Sequence, residues 1–256
     1  MRDFILGFLY ELVKSADEKA DEILIDGEHA KLSKKDIANF YMDPKVRRKL
    51  LPQISGRPVM LVQQHAEPVV RRKTPEGKEI VIEEGAKGPQ DPSDYMNWVN
   101  QHTVEFHPVH GESTKELLVD IDPKGNVPWE KTKEVTRLVA SRLRQEPDVK
   151  GTKIVFSGGR GFYVRANLEE EVQTNKGRER LKKILGDITG AVPATTLGVP
   201  GPSQIRLDIS TFHPKGSLRA EYSINGKTGL VSVPVHDLGS FEKTDATVKK
   251  VLGSGS

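Results

Sequence analysis

The sequence predicts an α+β fold: two packed α/β modules around a mainly antiparallel sheet with helices on one face. Three observations carry that prediction. The C-terminal half runs strand, helix, paired strands, helix, strands in its hydrophobic patterning. The tight turn Ser157-Gly158-Gly159-Arg160-Gly161 joins two strand-like runs, "TKIVF" and "FYVRANL". Asn225-Gly226 lies between "LRAEYSI" and "GLVSVPV", a strong hairpin signal.

The N-terminal half is less regular. Phe4, Ile5, Phe8 and Leu12 recur at helical spacing and predict an amphipathic helix packed on the domain. "EILIDGEHAKL" reads as two short strands around Asp26-Gly27, and Ser33 is placed to cap a helix, "KKDIANFYMDPKVRRKLL", broken near Pro44. "RPVMLVQQ" is strand-like, and residues 66–95 hold a hairpin-like "VVRRKTPEGKEIVIEE" and then a Gly/Pro/Asp-rich connection, the most linker-like segment of the chain. "YMNWVNQHT" suits a short helix.

In the second half, "ELLVDID" predicts a strand. "PWEKTKEVTRLVASRLRQE" predicts a helix with Pro128 near its first turn and an apolar stripe of Val135, Leu138, Val139 and Leu143. "NKGRERLKKILGDITG" is a basic amphipathic helix, and "QIRLDIS" a strand. The expected organisation is one domain over 1–252, with an N-terminal module to about residue 105 and a chemistry-bearing module after it; the terminal "GSGS", 253–256, reads as a cloning remnant.

Composition narrows the function classes. A net charge of +3 sets up no global field for a polyanion, so a nucleic-acid surface has to come from local clusters such as Arg47-Arg48-Lys49, Arg71-Arg72-Lys73 and Arg178 to Lys183. The chain has no cysteine, which excludes thiol catalysis and cysteine-ligated zinc and fits a cytoplasmic setting. The apolar part of "DFILGFLYELVK" is too short to span a bilayer and is interrupted by Glu11 and Lys14, so no membrane partner is expected.

The chemistry-bearing residues are carboxylates and cations. Asp120 and Asp122 alternate along one strand, so both point to one side with Cα atoms ~7 Å apart. Either they open a solvated turn or a hard cation such as Mg²⁺ or Mn²⁺ relieves their repulsion. Asp208 sits in another apolar run, where an unpaired carboxylate is costly. It either pairs with Arg206 or Arg219 or, if its strand lies beside the first, brings a third carboxylate to the spot, as two-metal phosphoryl transfer requires. The glycine turn lets backbone approach an anion, with Ser157 as a hydrogen-bond donor and Arg160 as a planar fork, or it is simply a tight hairpin. Arg219 and Lys227 flank the Asn225-Gly226 turn and clamp phosphates or decorate it.

"LLVDIDP", "FSGGRGFYV", "IRLDIS" and "LRAEYSINGKTGLVSVPV", in that order, resemble the catalytic motifs of the archaeo-eukaryotic primase superfamily. "KLSKKDIANFYMDPKVRRKLLPQISGRPVMLVQQ" and "WVNQHTVEFHPVHG" are similar to the polymerase domain of ligase D proteins, which serve non-homologous end joining. The resemblance implies a primase-polymerase fold and a metal-dependent nucleotidyltransferase that extends a primer on a template with NTPs or dNTPs, filling gaps in end-joining repair. It implies that Asp120, Asp122 and Asp208 bind Mg²⁺ or Mn²⁺. Ser157, Gly158, Arg160, Tyr163, His107, Arg219, Ser223, Asn225 and Lys227 would contact the nucleotide, and Lys34 or Lys35 would grip a downstream 5′-phosphate. Implied partners are a gapped or broken DNA duplex, a separate ligase and an end-binding protein. Two positions depart from the family: Tyr163 stands where a phosphate-contacting histidine is usual, and Asn225 where relatives carry histidine or arginine. The alternatives are a primase starting chains de novo and a degenerate module that binds nucleic acid without catalysis.

Overall fold

A computed structural model describes residues 32–63, 92–192 and 195–253. The N-terminal amphipathic helix, the strands around Asp26-Gly27, the hairpin-like segment and the linker after it to residue 91 lie outside the described residues.

Helix α1 (Lys34–Met42) starts where Ser33 forms a full capping box with Asp36. Asp43 then ends α1 and caps α2 (Pro44–Ile54), with Pro44 in its first turn, which explains the break. Strand β1 (Val59–Gln63), helix α3 (Pro92–Asn100) and strand β2 (Thr103–Pro108) follow, and β1 and β2 pair antiparallel. Ile37, Phe40, Tyr41, Val46, Leu50 and Ile54 from the helices and Val59, Val104 and Phe106 from the strands are buried in one cluster. Tyr41 bridges it: its hydroxyl donates to the Val104 carbonyl and accepts from Ile224 N at 2.9 Å.

The second sheet holds β3 (Ser113–Pro123), β4 (Val149–Phe156), β5 (Phe162–Gln173), β6 (Thr195–Thr196), β7 (Ile205–Asp208) and β8 (Val233–Val235), in the order β6-β7-β3-β5-β4-β8. All pairs are antiparallel except β6 with β7. Helices α4 (Trp129–Arg144) and α5 (Thr174–Ala191) share a buried core with Leu117, Val119 and Ile121 of β3 and Val164 and Ala166 of β5. The residues between these, Asp120 and Asp122 among them, face the other way by strand alternation. Val135, Val139 and Leu143 line the inner face of α4 as expected, but Leu138 is 40% exposed: Ala140, one turn on from Thr136, takes the inward position. The described residues close with α6 (Val248–Gly253).

One expected strand is irregular and another is shortened. "LRAEYSI" and the start of "GLVSVPV" form irregular chain with the isolated bridges Ile224↔Val231 and Leu230↔Thr247, and regular strand begins only at Val233. The reason is competition for backbone partners. Ala220 N donates to Phe106 O at 2.8 Å and Ser217 bridges Val109, so the start of this segment runs along β2, while its end pairs with its own continuation: Tyr222 N donates to Ser232 O at 2.6 Å and Ser232 N to Ser223 O at 2.8 Å. Asn225 does not open a two-residue turn: its side chain accepts from Lys227 N at 2.9 Å and its own N–H reaches Leu230 O at 2.7 Å, closing a longer loop.

Candidate active site

Strand register gathers the carboxylates. Asp120 on β3 lies opposite Asp208 on β7, and Asp122 opposite Arg206. On its other side Asp120 faces Tyr163 of β5, so Asp208, Asp120 and Tyr163 form a row on the face away from α4 and α5. Burial, with Asp122 and Asp208 adding their repulsion, pushes the Asp120 carboxyl up to about 8.

The three side chains do not close on one point. Asp122 accepts from Arg160 at 3.3 Å and pairs with Lys124 at 3.0 Å. Asp208 pairs with Arg206 at 3.1 Å and accepts from Ser210 N at 2.6 Å. Both readings of Asp208 hold in part: it has its arginine, and it also neighbours Asp120. Among the described residues no group of three His, Asp or Glu stands close enough to hold a metal ion as it is. The donor set nevertheless fits a hard divalent ion: its oxygens are all carboxylate, and Asp120 has no hydrogen bond or ion pair with a described residue while its neighbours repel its charge.

The glycine turn is built for close backbone approach, though not first of all to an anion. A Cβ on Gly161 would stand 1.8 Å from Ile121 O, between the two site aspartates, so only glycine lets the turn lie on β3. Gly158 has φ +77° and a Cβ there would meet Asn225 and Leu230 at 3.1 Å. Ser157 is buried and its hydroxyl donates to Gly161 O at 3.0 Å, within the turn itself. Arg160 is part-exposed at the turn's outer side, on Asp122.

Glu105, which the sequence reading passed over, is the hub of the neighbouring cluster. It is buried at the middle of β2, and its carboxylate meets His107 Nε2 at 2.7 Å, Arg219 Nη2 at 2.6 Å and Nε at 3.1 Å, and Gly226 N at 2.8 Å. Burial alone would raise its pKa, but the hydrogen bonds and charges of His107 and Arg219 outweigh that and hold it at about 2. Burial, with help from Arg219, holds His107 below its ordinary value against the pull of Glu105. Arg219 also donates to Ser157 O at 2.7 Å, tying β2 to the glycine turn. The signal in the sequence was a glutamate in the otherwise uncharged run "TVEFHP".

The remaining expected residues fall in three places. Tyr163 is buried, and burial raises its phenol, whose hydroxyl has no hydrogen bond with a described residue. Ser223 is fully buried and accepts from Phe106 N at 2.9 Å, so it serves the fold and not an open site. Asn225 is buried as the loop cap, Lys227 is exposed on that loop, and Lys34 and Lys35 are exposed in the first turn of α1.

Together, the fold and the aspartate row place the chain among the nucleotidyltransferases of the primase-polymerase class. It belongs to the LigD primase-polymerase domain family, whose pattern matches residues 33–253. It is 29% identical over 133 residues to the DNA primase small subunit PriS of Pyrobaculum arsenaticum, covering 41% of this chain and 43% of that protein. It is 27% identical over 149 residues to the multifunctional non-homologous end joining protein LigD of Pseudomonas aeruginosa, covering 54% of this chain and 17% of that protein. The chain thus spans less than half the length of these relatives. The polymerase domain of Mycobacterium tuberculosis ligase D, solved in complex with DNA, shares the fold with a TM-score of 0.69 at 20% identity, over 92% of each chain. No helix among the described residues is long and apolar enough to cross a membrane.

Proposed function

We propose that the chain is a template-directed polymerase that adds NTPs or dNTPs to a primer in gapped or broken DNA, as gap filling in end joining requires. The observation that carries this reading is the register of Asp120 against Asp208, with Asp122 one pleat away and Asp120 pushed up to about 8. Arg160, Lys124 and Arg206 answer Asp122 and Asp208 only from the sides, and a divalent cation would relieve the repulsion left at Asp120. Asp120, Asp122 and Asp208 would hold Mg²⁺ or Mn²⁺, which supplies Lewis acidity for the 3′-hydroxyl and the triphosphate.

The chain's own residues then bind and orient. Arg160 leaves Asp122 for the phosphates, offering a planar fork at the edge of the glycine turn. Lys227 adds a positive charge from the exposed loop. Arg219, with Glu105 and Ser157 O already on its guanidinium, stabilises charge at a fixed distance more than it grips. Tyr163, beside Asp120, offers a neutral hydroxyl where relatives supply an imidazole, which lowers the positive charge facing the triphosphate. No side chain has to form a covalent intermediate.

Lys34 and Lys35, at the exposed start of α1, are the proposed contact for a downstream 5′-phosphate, and a separate ligase and end-binding protein the proposed partners. The P. aeruginosa LigD relative favours the end-joining context; the PriS relatives favour a second reading, de novo primer synthesis. Primer extension on a gapped duplex with and without a downstream 5′-phosphate tests both. Extension preferring the phosphorylated gap supports gap filling, products from unprimed template support the primase, and DNA binding with no synthesis under Mg²⁺ or Mn²⁺ overturns the polymerase reading.

A further inference from the structure

We propose that Glu105 is a positioning residue that sets the nucleotide-facing geometry of His107 and Arg219, joining the small sheet to the glycine turn and to the 225–230 loop. The inference rests on the polymerase reading for its nucleotide and on contacts in the fold for everything else.

A buried carboxylate accepting four hydrogen bonds, from His107 on its own strand, twice from Arg219 and from Gly226 N, orders all three at once. Its effect on His107 is specific. With Nε2 at 2.7 Å from a carboxylate that stays ionised, the proton of a neutral imidazole sits on Nε2, and Nδ1 is left as an acceptor. Nδ1 has no hydrogen bond with a described residue, and the ring is 15% exposed. His107 therefore presents a lone pair, suited to a hydroxyl donor such as a nucleotide sugar and unsuited to a phosphate oxygen. Arg219 is constrained too: Nε and Nη2 on Glu105 and Nη1 on Ser157 O fix the guanidinium plane, so its remaining N–H bonds point in set directions. The same carboxylate takes the Gly226 N–H and so places the loop that carries Lys227. The His107 tautomer and the fixed Arg219 need the negative charge of Glu105, and the Gly226 N–H needs an acceptor oxygen in that place.

The test compares wild type, Glu105→Gln and Glu105→Asp. Glutamine keeps the size and one acceptor oxygen without the charge; aspartate keeps the charge with a shorter reach. Long-range ¹H–¹⁵N NMR of the histidine rings, with His107 assigned through His107→Gln, reads the tautomer in the metal-free chain, and steady-state primer extension with Mg²⁺ reads KM and kcat. The expected results are an Nε2–H tautomer in wild type, lost in Glu105→Gln, and a nucleotide KM raised on the order of tenfold at kcat within about twofold, with partial recovery in Glu105→Asp. An Nδ1–H tautomer in wild type overturns the proposal. So does a Glu105→Gln chain that melts earlier yet keeps its KM, since a merely structural residue behaves that way. If Glu105→Gln does not fold, the wild-type tautomer and the Glu105→Asp kinetics decide. If wild type extends no primer, the polymerase reading fails, while the tautomer and an NMR titration with nucleotide alone still decide the role of Glu105.

Discussion

Asp120 and Asp208 are Cα partners across the β3–β7 ladder, so two carboxylates face the same side of the sheet from adjacent strands, with Asp122 next along. The fold holds these like charges together by backbone hydrogen bonds, which cannot yield without unravelling the centre of the sheet.

Asp120→Asn should therefore separate stability from function. Nucleotidyl transfer falls on the order of 10³-fold or more in primer extension. Metal-free stability rises instead above pH 8, because the amide is not repelled by Asp122 and Asp208. The sign with pH follows from the raised carboxyl, at about 8 when folded. Above it Asp120 is ionised and repulsion is full; near pH 5 Asp120 is protonated in the fold and the advantage of asparagine shrinks. Urea melts of both chains at pH 5 and pH 8.5 check this.

Divalent ions should stabilise the wild-type fold and not Asp120→Asn. An ion that binds only the folded state adds RT ln(1 + [L]/Kd), about 2.7 kcal/mol at a hundredfold excess over Kd. Because the bound form needs Asp120 ionised, the rise in melting temperature with Mn²⁺ or Mg²⁺ grows from pH 6 to pH 8. Melting at constant ionic strength, with calcium-free chelator as the control, reads it. An equal rise in the asparagine variant contradicts the assignment.

The parts of this site that were legible in the sequence are those set by local pattern. The alternation in "LLVDIDP" places Asp120 and Asp122 on one face whatever their neighbours, and Ser33 and Pro44 announce helix starts by chemistry confined to one turn. Register was not legible: that β7 would align Asp208 with Asp120 depends on pairings between distant segments. Glu105 was missed for the same reason, since its partners Arg219 and Gly226 lie more than a hundred residues on. "LRAEYSI" has strand-like alternation, yet its backbone partners are split between β2 and its own continuation at 230–232, so no regular ladder forms. In sequence the glycine turn fits either an anion cradle or a tight hairpin, and what separates them is the carbonyl of Ile121 against Gly161, a contact between distant segments.

Acid should unfold the chain partly through Glu105. Its carboxyl lies at about 2 in the fold against about 4.3 in an unfolded chain, so its contribution is present above the unfolded value and lost as pH falls toward 2. The loss is on the order of 3 kcal/mol. His107, held below its ordinary value in the fold, acts in the same direction nearer neutrality, because the unfolded chain takes up its proton first. Denaturant melts from pH 7 to pH 2.5 should show the steep acid limb in wild type and a shallower one in Glu105→Gln.

Arg160 should matter little to stability and much to the nucleotide. Its pair with Asp122 is half-open to solvent, at 26% and 28% exposure, and such pairs contribute about 0–1 kcal/mol. Arg160→Ala is thus expected to melt within a few degrees of wild type while its nucleotide KM rises tenfold or more, on the order of the loss of one charge-assisted contact. A large fall in melting temperature with unchanged KM would mean that the arginine serves Asp122 alone.

The three turn glycines should separate in an alanine series measured by denaturant midpoint. Gly161→Ala forces a Cβ to 1.8 Å from the Ile121 carbonyl of β3, a strand paired on both sides that cannot retreat, so the loss is on the order of 3 kcal/mol or the variant does not fold. Gly158→Ala combines φ +77° with contacts at 3.1 Å and costs about 1–2 kcal/mol. Gly159→Ala meets only the side chains of Asn225 and Ser157, at 3.2 and 3.5 Å, and its φ is ordinary, so it costs least. If the turn were shaped mainly for an anion, stability would be similar in all three and nucleotide binding would carry the differences. The distances argue for the reverse order of causes: Gly161 first lets the turn rest against β3, and that contact is what brings Arg160 to Asp122.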